Sequence, residues 1–373
     1  MLSKKRRALI NLKNIPGWKT NRKIVVFSVD DYGNIRMASQ EAKKNLEKAG
    51  LNIHQNRFDQ FDCLEDRADL EQLFDSLSSV KDQHGNPAVF TAFSLPVNID
   101  FDKVIASDFS EYHYELLPDT FNKLVGYENT WELWKEGISK KILFPQSHGR
   151  EHLNLQFFQD ALKNKNKEVI ACIQNQSYAA LTLKNKNRSY TGAFGFQKIN
   201  ENEKLIPIAV DGLAKFEEVF GFKAKHFTAP GVYAHHTLEE ALVQGGIEYI
   251  DAQIIKNEHQ GDGKYKKRYN SLGKKNKTGQ RYILRNCVFE PLLNPTENHI
   301  NECLAEIEIA FRWKKPANIS THRVNFCGHI DSKNRDFGLK QLRILLDRIV
   351  KKWPDVEFMT TVELGELIDK KDK

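Results

Sequence analysis

Apolar positions along the chain repeat with two periods, and together they predict strands alternating with helices. Eight short runs rich in β-branched and aromatic residues read as strands: 24–29, 88–94, 142–147, 225–229, 247–251, 283–289, 317–321 and 356–360. Between most of them, apolar residues recur at helical spacing. Leu70, Leu73, Phe74 and Leu77 make one such face, and Leu213, Phe216 and Phe220 another. Ile300, Leu304, Ile307 and Phe311 make a third, and a last long helix carries Leu339, Leu342, Leu345, Leu346, Ile349 and Val350. Helix-start signals stand at Asn294-Pro295-Thr296-Glu297, at Thr237 with Glu240, and at Thr360 with Glu363. Alternating strands and helices imply parallel pairing with the helices outside, and seven or eight units point to an α/β barrel. An open doubly wound sheet is the other arrangement, but no G-x-G-x-x-G follows the first strand, so a dinucleotide site has no support.

The segments outside this pattern set the domain reading. Residues 1–20 read as a basic N-terminal tail and 21–373 as a single catalytic barrel domain. Excursions are expected near 95–140 (rich in aromatics), 163–208 (Lys/Asn-rich, then Gly/aromatic-rich) and 256–281 (an exposed, mobile loop).

Charge refines this picture. Residues 1–23 hold eight Lys/Arg and no acid, and 256–281 hold nine Lys/Arg against Glu258 and Asp262, so the rest of the chain is mildly acidic. A solvated tail and loop is expected there, with no nucleic-acid partner. No apolar stretch has the length of a membrane span, and the start MLSKKRRALINLKNIPGW is a poor signal peptide, so a cytoplasmic location is expected. Cys63, Cys172, Cys287, Cys303 and Cys327 show no C-x-x-C spacing, which argues for a reducing compartment and against a cysteine-ligated zinc.

Candidate chemistry gathers at strand ends. Asp30 and Asp31 stop the first strand in FSVDDYGN, where two carboxylates leaving water usually have a metal ion as partner, an Asx-type turn with both side chains solvated being the other reading. His148 and His152 follow the strand 142–147 at a spacing of four, and two histidines plus one carboxylate form an ordinary catalytic metal set. His322 ends the run 317–321; by itself it reads as a core or capping histidine bonded to backbone, and in company with the other strand-end groups it suits a general acid, because its ordinary pKa lies near neutrality. Asp251 ends 247–251 and is placed to orient such a histidine or to cap a turn.

Asp-Asp at strand one, H-x-x-x-H after a middle strand, the Pro-Gly turn TAPGVY (228–233), a later strand-end aspartate and a late strand-end histidine occur in that order. This order resembles the polysaccharide deacetylase (NodB-homology) superfamily, and SVDDYG is similar to the A-D-D-F-G signature of YdjC-like carbohydrate deacetylases. The resemblance spans roughly residues 22–368. It implies a distorted (β/α) barrel of seven or eight parallel strands and metal-dependent removal of an N- or O-linked acetyl group from a carbohydrate. It implies that Asp31, His148 and His152 bind the metal, that Asp30 is general base on the metal-bound water, and that His322 protonates the leaving group. Zinc is the default metal, with cobalt, nickel, manganese or iron suited to the same ligands. The substrate expected is an acetylated sugar, an oligosaccharide or a nascent glycan.

The Tyr32 backbone N–H is a candidate donor to the oxyanion. The family commonly places an arginine two residues before the proline of its third motif. Here Thr228 holds that position ahead of Pro230, leaving Arg150 and Arg323 as candidates to replace it. Thr321 precedes His322 where an apolar residue is usual. Glu290 is a candidate for substrate hydroxyls, and Tyr112, Tyr114, Tyr127, Trp131 and Trp134 for a sugar-stacking wall or a buried helix pair. Three other readings compete. HGREH (148–152) also matches the H-x-x-E-H zinc-peptidase signature, which requires a regular helix with Glu151 activating water. A glycoside hydrolase on the same barrel would need carboxyls standing across the scissile bond. A non-catalytic sugar-binding protein would keep the fold alone.

Overall fold

The computed structural model describes residues 3–181, 189–232, 234–295 and 298–370. Among these residues nine strands share one sheet, and every pairing in it is parallel: β1 (Lys23–Tyr32), β2 (Phe90–Ser94), β3 (Leu143–Ser147), β4 (His226–Phe227), β5 (Tyr249–Asp251), β6 (Arg281–Ile283), β7 (Cys287–Val288), β8 (Ala317–His322) and β9 (Val356–Phe358). Their order is β6-β5-β4-β3-β2-β1-β8-β7, with β9 pairing the start of β1. β6 and β7 are two pieces of the single run 281–288. The first piece pairs with β5 and the second with β8, so one broken strand joins both ends of the order. The architecture is a distorted (β/α) barrel.

β1 is its axis. Residues Ile24–Tyr32 are all buried, as expected of a parallel strand covered on both sides, and this explains its nearly unbroken apolar run. The predicted helical faces are the buried faces of the helices Arg67–Ser78, Asn202–Phe220, His299–Arg312 and Ser332–Lys352. Each fully buried leucine there contributes about 1.5–3 kcal/mol. Thr360 and Glu363 form the expected reciprocal cap, each accepting the other's backbone N–H at 2.8 and 3.1 Å. Thr237 instead lies inside a short 3₁₀ turn ahead of the helix Glu239–Gln244. Asn298 caps the helix at His299, and the expected signal at Thr296 and Glu297 falls outside the described residues.

Two basic segments differ from expectation. Lys4–Lys13 is a helix rather than a solvated tail, docked through Arg6 on Glu302 and Glu306 at 2.5 and 3.0 Å. Residues 256–281 are not a structureless loop. Ile255–His259 and Tyr265–Tyr269 pair as an antiparallel ribbon. The excursion after β2 carries a second small ribbon, Val97–Ile99 with Tyr114–Leu116, and the 163–208 excursion includes 182–188, outside the described residues. Among the described residues, no helix is long and apolar enough to cross a membrane.

Candidate active site

The carboxyl ends of β1, β5 and β8 and the turn after β3 open into one cleft, lined by Asp30, Asp31, His148, His152, Asp251 and His322 among others. Successive side chains of a regular strand point to opposite faces, so adjacent aspartates would ordinarily part company. Here the register of β1 against β2 shifts between Val29 and Tyr32, and Asp31 adopts φ 78°. A bulge of this kind re-aims a side chain, and both carboxyls reach the cleft.

His148 and His152 come from the irregular turn after β3. Gly149 turns the chain there at φ 93°, and a Cβ on it would press against Phe194 at 3.3 Å and Pro230 at 3.5 Å. His148 Nδ1 lies 2.8 Å from the Thr228 carbonyl, so it is the protonated nitrogen and donates, leaving Nε2 to face the cleft. Nε2 of His148 stands 3.3 Å, and Nε2 of His152 3.2 Å, from the same Asp31 oxygen. These three donors, buried and mutually within 4.8 Å, are a candidate metal centre.

Asp30 is held by a residue that the sequence reading passed over. Arg285 clasps it with both terminal nitrogens, at 2.7 and 2.8 Å, and places Nε 2.8 Å from Asp251. Burial alone would push the Asp30 carboxyl up. Arg285, with help from His148 and His322, outweighs burial and holds it below the usual carboxylate range. Burial does dominate at Asp251, which is pushed up to about 6. Arg285 lies in the break between β6 and β7, and the available signal was an arginine interrupting an apolar run.

His322 ends β8 in register with Asp30, its Nε2 3.7 Å from the Asp30 carboxylate. Its Nδ1 donates to Glu290 at 2.5 Å. Glu290 is anchored in turn by Arg57 at 2.6 Å and by the Asn325 amide at 2.7 Å. Burial pulls the imidazole down, but Glu290 and the two cleft aspartates more than offset it and raise it to about 9.

Other expectations are corrected. Arg150 pairs with Glu151 and Asp211 and lies over Tyr114, and Arg323 is buried against Asp62 and Glu65, so neither reaches Asp30. Asp251 pairs with Arg285 rather than orienting His322, and Glu290 does the orienting instead of facing the cleft as a hydroxyl ligand. The Tyr32 ring is packed edge-on to Trp134 in the core, which leaves the expectation for its backbone N–H untouched. The proposed aromatic wall dissolves: Trp134 and Tyr127 are core residues, Trp131 stacks on Phe121, Tyr112 donates to Glu151, and Tyr114 donates to Asp211. Residues 148–152 are not helical, and Glu151 is turned to Arg150 and Tyr112, so the peptidase geometry is absent.

Fold and site thus define a parallel (β/α) barrel with a candidate His₂-Asp metal centre at its strand ends. No family model matches the sequence, and no curated protein matches it. Solved structures of similar architecture include Puue allantoinase, 10% identical over 94% of this chain and 93% of that one, TM-score 0.48. They also include the peptidoglycan deacetylase PdaC from Bacillus subtilis, 11% identical over 94% of each chain, TM-score 0.36. A family 4 carbohydrate esterase from Streptomyces lividans, in complex with acetate, is 8% identical over 91% of this chain and 92% of that one, TM-score 0.38.

Proposed function

We propose that this protein is a metal-dependent hydrolase that removes N- or O-linked acetyl groups from a carbohydrate. The observation that carries this reading is the convergence of Asp31, His148 and His152 within metal-ligand reach, with Asp30 and His322 beside them in one cleft. The donor set fits a divalent ion: one carboxylate and two imidazoles, with His148 locked in the tautomer that frees Nε2. Zinc suits it best. Such an ion polarises an acetyl carbonyl and lowers the pKa of water near neutrality.

The chain's own groups supply the proton transfers. Asp30, kept ionised by Arg285, accepts a proton from the attacking water. Arg285 occupies one direction on each Asp30 oxygen, which leaves lone pairs toward the cleft. His322, kept charged by Glu290, donates to the departing nitrogen or oxygen. Poor electrophiles such as amides need both steps, and the acid and base stand on adjacent strands for that purpose. The five cysteines are buried free thiols, which fits a reducing, cytoplasmic compartment. We assign the whole of residues 21–373 to one catalytic domain.

An acetate-release screen over acetylated sugars, run with metal analysis, tests this reading. Wild type is compared with Asp30→Asn and His148→Ala. Release by wild type alone supports the proposal; equal release by all three proteins sinks it.

A further inference from the structure

Beside the catalytic cleft, the ribbon Ile255–His259/Tyr265–Tyr269 has two unlike faces. Directly opposed residues of an antiparallel pair share a face. The inner face carries Lys256, Glu258, Arg268 and, opposite Glu258, Lys266. Glu258 is 1% exposed and pairs with Arg268 at 2.5 Å, and Lys256 donates to the Ala234 carbonyl. These contacts anchor the ribbon. The outer face pairs Ile255 with Tyr269, Asn257 with Lys267 and His259 with Tyr265. There Ile255, Tyr265 and Tyr269 are 51, 52 and 62% exposed, an unusual investment of apolar surface on a two-stranded element.

Charge accompanies the aromatics. Lys267 on that face, and Lys264, Lys275 and Lys277 in the segments that flank it in the chain, are exposed, and among the described residues none of them forms an ion pair. The ribbon's root opens directly into the catalytic cleft, because Gln253, Ile254 and Ile255 line it. Its far end meets a second pocket floored by Phe196 and bounded by His259 and Tyr265. The two tyrosines lie four strand positions apart, about 14 Å, which is farther than one pyranose reaches and so calls for several linked sugars.

We propose that this ribbon is a binding platform for an anionic oligosaccharide whose acetylated unit lies in the cleft. Pyranose faces stack on Tyr269 and Tyr265 while the lysines meet carboxylate or phosphate groups along the chain. Continuity with the cleft favours a glycan over any other polyanion. The inference deepens the deacetylase reading and rests on it for the identity of the occupant.

The test is mobility in native gels cast with immobilised polymer: a polyuronate, a polyol phosphate or a neutral glucan. The full chain is compared with a Lys264→Ser/Lys267→Ser/Lys275→Ser/Lys277→Ser variant and with Tyr265→Ser/Tyr269→Ser. Thermal melts verify that each variant is folded. The expected result is selective retardation of wild type by an acidic polymer, weakened about tenfold in either variant and by added salt. Whichever acidic polymer acts identifies carboxylate or phosphate as the anion. Equal retardation by the neutral glucan, undiminished retardation of both variants, or tighter binding to a single-stranded oligonucleotide overturns the platform. Acetate release from small acetylated sugars, followed on the same wild-type preparation, reports on the catalytic reading alone. Its absence beside selective retardation would remove the deacetylase and leave the surface standing.

Discussion

Among the described residues, two groups bring a pair of histidines and a carboxylate within 4.8 Å: Asp31 with His148 and His152, and Glu258 with His235 and His236. By ligand type and spacing they are equivalent, and their surroundings separate them. At the first, the ion pairs to the Asp31 oxygen among the described residues both come from imidazoles. Burial would raise that carboxyl, but His152 and His148 outweigh it and hold it well below its usual range. At the second, Arg268 sits 2.5 Å from Glu258, Lys256 4.0 Å away, and the Gln260 amide donates to the same carboxylate. Its charge is already answered by fixed cations, which would also repel an incoming metal. His235 is pushed down to about 4 by burial, with Glu258 only partly opposing. The second group is the anchor of the ribbon. A cluster becomes a metal site when its negative charge lacks any other partner, and proximity of ligand atoms is not enough.

The sharpest way to break this comparison is metal content. Asp31→Asn or His148→Ala is expected to take bound zinc, measured by mass spectrometry, from about one ion per chain to near none. Glu258→Gln and His236→Ala should leave it at the wild-type value. Loss in the second pair would erase the distinction drawn above. Next in size, Asp30→Asn should retain the metal yet lower kcat by about 10²–10⁴-fold, as removal of a positioned base does.

Arg285→Met tests the fixed cation that holds Asp30, the neighbour of the first group. It strands Asp30 and Asp251 as buried charges, and urea unfolding should show a loss of about 3–5 kcal/mol. Adding Asp30→Asn to that variant should recover part of the loss; no recovery would mean that Arg285 acts elsewhere.

Glu290→Gln addresses pH. His322 is raised from its ordinary value near 6.5 to about 9 in the fold. The protonated form therefore stabilises the folded state below about 6.5, and that contribution fades as pH rises through about 9. Activity that needs the charged imidazole should show its alkaline limb near 9 in wild type and move toward neutrality in Glu290→Gln. An unmoved limb in pH profiles of kcat/KM would exclude His322 as the acid. The smallest effect is expected at Glu258→Gln, which exchanges one ion pair for neutral contacts and should cost about 1–3 kcal/mol without altering bound metal.

Much of the barrel was legible in the chain because parallel strands are buried on both faces and so read as apolar runs. All eight predicted runs overlap a strand of the sheet, and their ends differ by a few residues. The run 283–289 was harder. It breaks at Leu284–Asn286, and the interruption is where Arg285 leaves the ladder to reach two aspartates on β1 and β5. The ribbon was missed because Lys-rich residues bounded by glycines carry little apolar alternation. Its inward face is secured by charges instead of hydrophobic packing.

Strand positions, helical faces and the residue types at the strand ends were determined by the chain itself, since burial and periodicity are local properties of sequence. Which arginine meets Asp30, which carboxylate orients His322, and which of two His₂-carboxylate groups is left without a cation were decided only by the tertiary structure. Ion pairs form between side chains distant in sequence, as Arg285 and Asp30 are, and their partners are chosen by how the strands close around the cleft.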